Sequence, residues 1–226
     1  MSSADGPFFV KAMKNRAGGR RDSLLRERAV APYVEDVSPP LRWSAESESW
    51  LVLGFDAVDA RPADFTPRSP DLDAVVDLVR RIGELPLPEV AADWHERRWH
   101  RFAASGREAH GFEGDALLYT DINPSNFLIG ERSWVVDWSW PTRGAAFIDP
   151  ARLVLQLVAA GHTPEAAEAH AARCPAWTDA DPAAVDAFAA AELRMHTAFA
   201  GRNPDAVWLR EMTAAAEQWV RHGHSR

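Results

Sequence analysis

Two carboxylates and one amide, close together in the sequence, have the side-chain chemistry that phosphoryl transfer needs. Asn126 follows Asp121 by five positions, and Asp137 comes eleven positions after Asn126. Amide and carboxylate oxygens suit a hard divalent cation such as Mg²⁺. A further carboxylate that does not bind the metal can orient a hydroxyl and accept its proton. The spacing therefore predicts that Asn126 and Asp137 bind a metal ion and that Asp121 is the catalytic base.

The residues between Asn126 and Asp137 predict the element that brings these side chains together. Two short apolar segments, 127–129 and 134–136, flank the turn-forming residues 130–133. Apolar runs separated by such a turn are typical of a β-hairpin. Because a hairpin folds the chain back on itself, we expect Asn126 and Asp137 to face each other at its open end.

This stretch resembles the aminoglycoside phosphotransferase and choline-kinase-like family of small-molecule kinases. The motifs that carry the resemblance are D-x-x-x-x-N at 121–126, Val-Val-Asp-Trp at 135–138, Pro-Thr-Arg-Gly at 141–144 and Ile-Asp-Pro at 148–150. The resemblance implies ATP and Mg²⁺ as cofactors, Asp121 as the base, and Asn126 and Asp137 as the metal ligands. It also implies that Asp149 is a structural acid that braces the catalytic loop.

The order of the predicted elements agrees with a kinase-like plan, because strands come mostly first and helices mostly last. Predicted strands cover 8–13, 41–43 and 50–55, and predicted helices cover 21–34, 72–85, 93–109, 151–160, 164–173, 182–199 and 204–222. The fold class is α+β, a protein-kinase-like two-lobe fold with a truncated small β lobe and a larger helical lobe. We expect residues 1–58 to form the reduced β lobe with one helix, and residues 59–226 to form the helical lobe with the catalytic hairpin.

Lys11 and Glu27 form the next candidate pair. A strand lysine that faces a helix glutamate would hold the α- and β-phosphates of ATP, and the order of elements agrees with this role. Two alternatives remain open. Lys11 and Glu27 could be ordinary charges on a solvated surface, and Glu35 competes with Glu27 for the same role.

The nucleotide side of the predicted site departs from the family pattern. The resemblance alone implies that residues 54–58 are a hinge whose backbone contacts adenine, with Gly54, Phe55, Asp56 and Ala57 as cofactor-binding residues. Only ten residues precede Lys11, which is too few for the two strands and glycine-rich loop that family members place over the phosphates. We therefore expect weak ATP binding. We also expect an exposed apolar strand edge at 8–13, which predicts a homodimer, another partner, or a locally rearranged N-terminal segment that covers the edge.

Composition narrows the functional classes. The chain has 226 residues, a net charge of −8 and one cysteine, Cys174, which excludes an internal disulfide framework and fits a reducing, cytoplasmic compartment. The negative charge argues against general nucleic-acid binding. No apolar stretch approaches the roughly 18 residues of a membrane span, so we expect no membrane partner. An acidic enzyme suits a cationic small-molecule acceptor, although ordinary solubility accounts for the same charge at least as well.

Three hypotheses follow. The first is an ATP-dependent phosphotransferase that acts on a hydroxyl of a small molecule, either aminoglycoside-like or another metabolite. The second is a catalytically degenerate kinase-like protein that binds a nucleotide or metabolite without turnover, and the third is a protein-interaction module that uses the strand edge. The intact set of Asp121, Asn126 and Asp137 favours the first hypothesis, whereas the short segment before Lys11 favours the other two.

The sequence does not settle the roles of the tryptophans near Asp137 or of Arg143. Packing is the preferred interpretation for most of the ten tryptophans, with Trp138 and Trp140 as exceptions because they lie beside the predicted metal ligand. Arg143 could contact phosphate or acceptor, or it could form an ion pair with Asp149 or Glu131.

Overall fold

The N-terminal part of the protein is a four-stranded antiparallel sheet, seen in a computed structural model that describes residues 2–3 and 6–225. Its strands are β1 (Ser2–Ser3), β2 (Gly6–Lys14), β3 (Leu41–Glu46) and β4 (Trp50–Asp56), in the spatial order β1-β2-β4-β3. Helix α1 (Gly19–Val30) and a 3₁₀ turn (Ala31–Tyr33) connect β2 to β3. The predicted strand with Lys11 and the predicted helix with Glu27 are both confirmed.

Alternation along β4 explains how this sheet is stabilised. Leu51, Leu53 and Phe55 are buried on one face of the strand, because successive side chains of a strand point to opposite faces. They pack with Leu24 and Ala31 in a small apolar cluster. This cluster fixes α1 against the sheet, so the position of Glu27 relative to β2 depends on it.

The outer edge of β2 is only partly paired. Strand β1 contacts it through Ser2 opposite Pro7 and Ser3 opposite Gly6, whereas β4 pairs with it from Phe8 to Lys14. Among the described residues, no strand pairs with this edge beyond Pro7. The homodimer expected at this edge stays a prediction.

Two smaller sheets position the segment that carries Asp121, Asn126 and Asp137. Strands β5 (Ala60–Pro62), β7 (Phe127–Gly130) and β8 (Trp134–Val135) form one sheet, and β6 (Ala116–Leu118) pairs with β9 (Thr142–Gly144). The predicted hairpin is confirmed, with Phe127 opposite Val135 and Leu128 opposite Trp134. Strand β5 was missed at the sequence level, because its three residues lie in a Pro- and Asp-rich connector and are extended only by pairing with β7.

The rest of the protein is mainly helical. Its helices are α2 (Leu72–Gly83), α3 (Gly106–His110), α4 (Ile148–Ala159), α5 (Pro164–Ala171), α6 (Pro175–Thr178), α7 (Pro182–Arg202) and α8 (Val207–Gly223), with 3₁₀ turns at Glu89–Ala91, His100–Phe102 and Pro124–Asn126. Helix α4 is buried along most of its length and packs against α5 and α8, while α7 packs against α8. Asp181 caps α7 by accepting a hydrogen bond from the backbone N–H of Ala183, and Pro182 is its first residue.

The predicted helix over residues 93–109 is wrong. Most of this segment is irregular, because its backbone is tied to β9 instead of to itself. The N–H of Arg143 donates to the carbonyl of Trp94 at 2.7 Å, and the N–H of Glu96 donates to the carbonyl of Arg143 at 2.8 Å. Ser105 then caps the short helix α3 through the N–H of Glu108. Long-range pairing here overrides a local helical preference.

The fold is α+β, with small antiparallel sheets and a larger helical part, as predicted. The division of the chain into lobes at residues 58 and 59 stays a prediction. Val30, Val34 and Val37 precede that boundary but pack with the large apolar cluster that includes α2 and α4. Across residues 2–3 and 6–225, no helix is both long and apolar enough to cross a bilayer.

Candidate active site

The loop that carries Asp121 is held in place by a buried acid. Asp149, the second residue of α4, accepts hydrogen bonds from the backbone N–H groups of Tyr119 at 2.8 Å and Thr120 at 2.7 Å. Thr120 has a φ of 68°, which is unusual for a β-branched residue. Because Asp149 binds the N–H of this strained residue, it braces the loop in the way that the resemblance implies.

Asp121 and Asn126 are joined within the loop. The amide nitrogen of Asn126 donates to the Asp121 carboxylate at 2.9 Å and to the Asp121 carbonyl at 3.1 Å. Asn123 caps the 3₁₀ turn by accepting from the N–H of Ser125. Asp121 itself is exposed. The turn therefore presents the candidate base to solvent while one amide orients it.

Asp137, Lys11 and Glu27 meet although they are far apart in the sequence. The ammonium of Lys11 lies 2.6 Å from Glu27 Oε1 and 3.0 Å from Asp137 Oδ1. The Ser139 hydroxyl also donates to Asp137 Oδ1. Asp137 has a φ of 65°, so its backbone turns sharply directly after β8. Glu27, rather than its competitor Glu35, is the partner of Lys11.

The two carboxylates that contact Lys11 have opposite pKa shifts. Burial raises the pKa of Glu27 above its ordinary value, and the charge of Lys11 opposes this effect. Burial also disfavours the charged form of Asp137. For Asp137, however, the hydrogen bond from Ser139 and the charge of Lys11 outweigh burial, and its pKa falls below the ordinary value. The surroundings of Asp137 thus favour its ionised form.

Tyr119 connects the catalytic loop to the strand that leads to Asp137. Its hydroxyl donates to the carbonyl of Val136 at 2.6 Å, and its ring meets that of Trp138 edge-on at 4.9 Å. In the backbone, the N–H of Val136 donates to the carbonyl of Asn126 at 2.9 Å. These contacts place the two candidate metal ligands, Asn126 and Asp137, on adjacent segments.

A cavity of about 400 Å³ opens between the N-terminal sheet and the catalytic hairpin. We call it the sheet-side cavity. Its charged or polar end is formed by Lys11, Glu27, Asn126 and Asp137. These residues come from strand β2, from helix α1 and from the segment that contains the hairpin. Its apolar walls are formed by Phe9, Pro39, Phe55, Val58, Leu128 and Val136.

The predicted hinge lies partly on this cavity. Phe55, Asp56 and Ala57 line it, and Gly54 does not. A Cβ atom on Gly54 would lie 2.1 Å from the indole of Trp43, so glycine is required here for packing. The N–H of Asp56 donates to Pro40, and the N–H of Ala57 donates to Pro7.

A second cavity, of about 790 Å³, lies on the other side of the loop. We call it the helix-side cavity. Asp121 lines it, together with polar groups that include Arg98, Arg152 and His196. Its apolar walls come from Trp99, Ala159, Ala160, Met195, Phe199, Trp208 and Met212. Of all these lining residues, only Ser125 also lines the sheet-side cavity.

This chain resembles known proteins in structure but not detectably in sequence. No protein-family profile matches the sequence, and no curated protein matches it by sequence. An aminoglycoside phosphotransferase from Alicyclobacillus acidocaldarius is similar in structure, with a TM-score of 0.64 at 12% identity over 99% of this chain and 88% of that one. A choline/ethanolamine kinase family protein from Mesorhizobium loti gives a TM-score of 0.56 at 16% identity, over 96% and 86% of the two chains.

A third structure, the macrolide 2′-phosphotransferase of Brachybacterium faecium, gives a TM-score of 0.53 at 16% identity, over 95% of this chain and 86% of that one. This chain has the kinase-like fold of these phosphotransferases. The resemblance inferred from the motifs at residues 121–150 is thereby confirmed for the fold.

Within this phosphotransferase fold, Arg143 has a partner that was not anticipated. Its guanidinium forms an ion pair with Asp115 and donates to the carbonyl of Ala92 at 2.9 Å. The predicted ion pair with Asp149 or Glu131 is therefore wrong, because β9 carries Arg143 toward residue 115. Of the two tryptophans expected to be exceptions to packing, Trp138 is a core residue and Trp140 is exposed.

Sequence reasoning missed two parts of the candidate site. Ser139 hydrogen-bonds Asp137, and its position two residues after the aspartate was the available signal. The second part is a buried ion pair below the helix-side cavity, in which Arg152 lies 2.8 Å from Glu192. His196 Nε2 lies 3.1 Å from the other oxygen of Glu192. The spacing of four between Glu192 and His196 on α7 hinted at their contact, but nothing local pointed to Arg152.

Proposed function

We propose that this protein transfers a phosphoryl group from ATP to a hydroxyl of a small molecule. The observation that carries the proposal is the meeting of Lys11, Glu27 and Asp137, which come from a strand, a helix and the segment after the hairpin. A salt bridge that only stabilised the fold would not need a third charged partner facing a cavity. A lysine held between two carboxylates is well placed to move onto phosphate oxygens.

The sheet-side cavity is the proposed nucleotide site. Its apolar walls suit a purine ring, and its polar end places Lys11 where the phosphates would lie. Two N–H groups of the proposed hinge are already bonded within the protein. Adenine would therefore be recognised by apolar contact and by backbone carbonyl groups, which accept hydrogen bonds.

Asn126 and Asp137 are the proposed magnesium ligands. Within the described part of the chain, no three His, Cys, Asp or Glu side chains cluster as a metal site, so a metal here needs the amide of Asn126 as well as a carboxylate. That donor set fits Mg²⁺, which binds proteins through one or two carboxylates and takes its other ligands from water and phosphate. When bound, Mg²⁺ would neutralise charge on the phosphates.

Asp121 is the proposed base. It faces the helix-side cavity, where an acceptor hydroxyl would donate a hydrogen bond to its carboxylate. As the acceptor oxygen attacks the γ-phosphorus, Asp121 takes the hydroxyl proton and ADP leaves with the electrons of the broken P–O bond. Asn126 keeps the carboxylate oriented through its 2.9 Å hydrogen bond.

The helix-side cavity is the proposed acceptor site. Its wall combines aromatic and methionine side chains with charges of both signs, including Arg98, Arg152, Asp121 and Glu211. These features favour an acceptor that has an apolar portion beside its hydroxyl. A cationic group would be placed near Glu211, away from the two arginines.

The test is Mg·ATP binding by calorimetry, followed by turnover with a panel of alcohols. We expect ATP to bind in a magnesium-dependent manner, and we expect Lys11→Met to weaken binding. Lys14→Met is the matched control, because Lys14 lies on the same strand and stacks on Trp50 instead. Equal ATP affinity in the two variants would remove Lys11 from the site and with it the main support for the proposal.

A second candidate function is nucleotide binding without turnover. It is favoured by the contacts of Asp137 Oδ1, which is already shared by Lys11 and Ser139. A metal would have to displace at least one of them or use the other carboxylate oxygen. Magnesium-independent ATP binding, with no ADP formed from any acceptor, would support this candidate over the first.

A further inference from the structure

A third concavity, of about 440 Å³, lies beside the catalytic loop and is rich in arginine. We call it the arginine concavity. Its guanidinium groups are those of Arg26, Arg97, Arg98 and Arg101, and His95 and Trp140 also line it. Arg26 belongs to α1, whereas the other three belong to the irregular segment that precedes α3. Four arginines from two separate segments thus face one concavity in a protein whose net charge is −8.

Arg26 is fixed in position by aromatic rings instead of by a carboxylate. Its guanidinium carbon lies 5.0 Å from the ring centre of Trp94 and 5.5 Å from that of Trp140. Burial lowers the pKa of Arg26, and the neighbouring charge of Arg98 lowers it further. Cation–π contacts hold the planar group without neutralising it. The rings and a 3.4 Å hydrogen bond to the carbonyl of Pro141 therefore orient the guanidinium, while the charges of Asp22 and Glu96 oppose the fall in its pKa without forming an ion pair.

The carboxylates near the arginine concavity do not form ion pairs with most of its arginines. Glu96 is buried and is already engaged by Arg98 at 2.6 Å and by the Thr142 hydroxyl at 2.8 Å. Asp22, one turn away on α1, acts on Arg26 only through its field. Within residues 6–225, no carboxylate lies within ion-pair distance of Arg26, Arg97 or Arg101, although ten other arginines have such a partner.

We propose that the arginine concavity binds the anionic group of a ligand, either a phosphate or a carboxylate. Guanidinium groups recognise such oxygens with paired, charge-assisted hydrogen bonds, and Arg26, Arg97 and Arg101 have donors to spare. Binding would relieve the repulsion between neighbouring positive charges. The site is separate from Lys11, so it does not depend on nucleotide binding.

Two sources could supply this anion. Arg98 lines both the arginine concavity and the helix-side cavity, and it also donates to the Thr120 hydroxyl next to Asp121. An acceptor alcohol could therefore carry the anionic group itself, an interpretation that rests on the proposed function. Alternatively, a free small anion binds there and bridges α1 to the segment before α3.

The first experiment measures binding of inorganic phosphate and of malonate to the full chain by calorimetry. We compare the native protein with an Arg97→Gln/Arg101→Gln double variant, since both side chains are exposed and neither forms an ion pair within residues 6–225. The control is Arg107→Gln/Arg202→Gln, which removes two exposed arginines elsewhere. We expect the first double variant to bind at least about tenfold more weakly, the effect of losing one charge-assisted hydrogen bond. We expect the control to bind normally.

Two results would overturn the proposal. One is that neither phosphate nor malonate binds to the native protein. The other is equal affinity in the two double variants, because binding would then occur elsewhere, for example at Lys11. Either result leaves the proposed phosphotransfer intact, because Mg·ATP binding is measured separately.

The second experiment identifies the source of the anion. The probes are alcohols in matched pairs, with and without a carboxylate or phosphate group. If the acceptor carries the anion, the Arg97→Gln/Arg101→Gln variant raises KM for the acidic alcohol and leaves KM for its neutral analogue and kcat unchanged. If a free anion is the ligand, phosphate binding still falls in this variant, but KM is unchanged for both alcohols.

Discussion

Each side of the catalytic loop has one largely buried cation–carboxylate pair, and the two pairs are completed differently. Lys11 and Glu27 are 2.6 Å apart, with the lysine side chain 22% exposed. Arg152 and Glu192 are 2.8 Å apart, with exposures of 12% and 0%. Lys11 also reaches Asp137 and the sheet-side cavity, whereas Glu192 has its partners within the helices. The first pair therefore has a third charged partner that lines the same cavity, whereas the second fixes α4 to α7, with Arg152 at the wall of the helix-side cavity.

Ion pairs of similar length can therefore have different roles, one in stabilising the fold and the other in binding a ligand. A buried pair whose partners are all internal contributes to structure, and removing one partner leaves an uncompensated charge. A pair whose cation also contacts a second carboxylate at a cavity wall, as Lys11 does, can give up one partner to a ligand and keep the other. Four tests follow in order of expected effect.

Asp121→Asn tests the proposed base, which lies on the loop between the sheet-side and helix-side cavities. This variant keeps the shape of the side chain and removes the proton acceptor, so turnover should fall by roughly 10²–10⁴-fold. ATP affinity should hardly change, because Asp121 lines only the helix-side cavity. Steady-state kinetics and calorimetry measure the two quantities. Near-normal turnover would show that Asp121 is structural.

Glu192→Ala tests the helix-side pair. We expect it to lower the free energy of unfolding by about 3–5 kcal/mol, because Arg152 would be left buried without its partner. Urea unfolding gives the value. The matched deletion, Glu27→Ala, should cost less, since Lys11 is more exposed and keeps Asp137.

A double variant, Arg152→Met/Glu192→Leu, provides the control for that measurement. Because both charges are removed together, most of the lost stability should return. Equal losses for Glu192→Ala and Glu27→Ala would contradict the distinction between the two pairs.

Asn126→Ala and Asp137→Ala test the metal ligands of the sheet-side cavity. Each removes an oxygen ligand, so the magnesium-dependent part of ATP binding should fall by at least roughly 10–100-fold, the usual effect of losing even an outer-shell partner. Asn123→Ala is the control, since Asn123 caps the same turn but lines only the other cavity. Unchanged Mg·ATP affinity in both variants would refute the assignment.

Asp149→Asn should have the smallest effect, on the pH dependence of stability. Burial raises the pKa of Asp149 from 3.8 to about 6, although two backbone N–H groups oppose the rise. The folded state then binds more protons than the unfolded state between these values. The contribution of Asp149 is therefore present below pH 3.8 and is lost as the pH rises to about 6.

The measurement is the free energy of unfolding across that pH range in both proteins. The native value should decline more steeply with rising pH than the value of the variant. Parallel curves would show that Asp149 ionises normally despite its burial.

The sequence predicted the catalytic hairpin well because its determinants are local. Residues 121–137 contain two short strands, a turn and the polar side chains at their ends, so spacing alone relates them. The pairing of Lys11 with Glu27 needed only the order of elements. These predictions depend on few long-range contacts.

The failures have long-range causes. Residues 94–96 look helical in isolation but are extended because they hydrogen-bond Arg143, about fifty residues later. Arg143 in turn pairs with Asp115, a contact that depends on how β9 lies beside β6. The arginine concavity could not be predicted from the sequence either. Arg26 comes near Arg97 and Arg101 only because α1 packs against the irregular segment before α3.

Ser125 is the one residue shared by the linings of the sheet-side and helix-side cavities, and this bears on the order in which donor and acceptor bind. Since the two cavities have no other lining residue in common, a ligand in one would leave the walls of the other uncovered except at Ser125. Donor and acceptor can then be present together, and neither must depart before the other arrives. For the proposed phosphotransfer, this layout predicts direct transfer within a ternary complex, with double-reciprocal plots that intersect instead of running parallel.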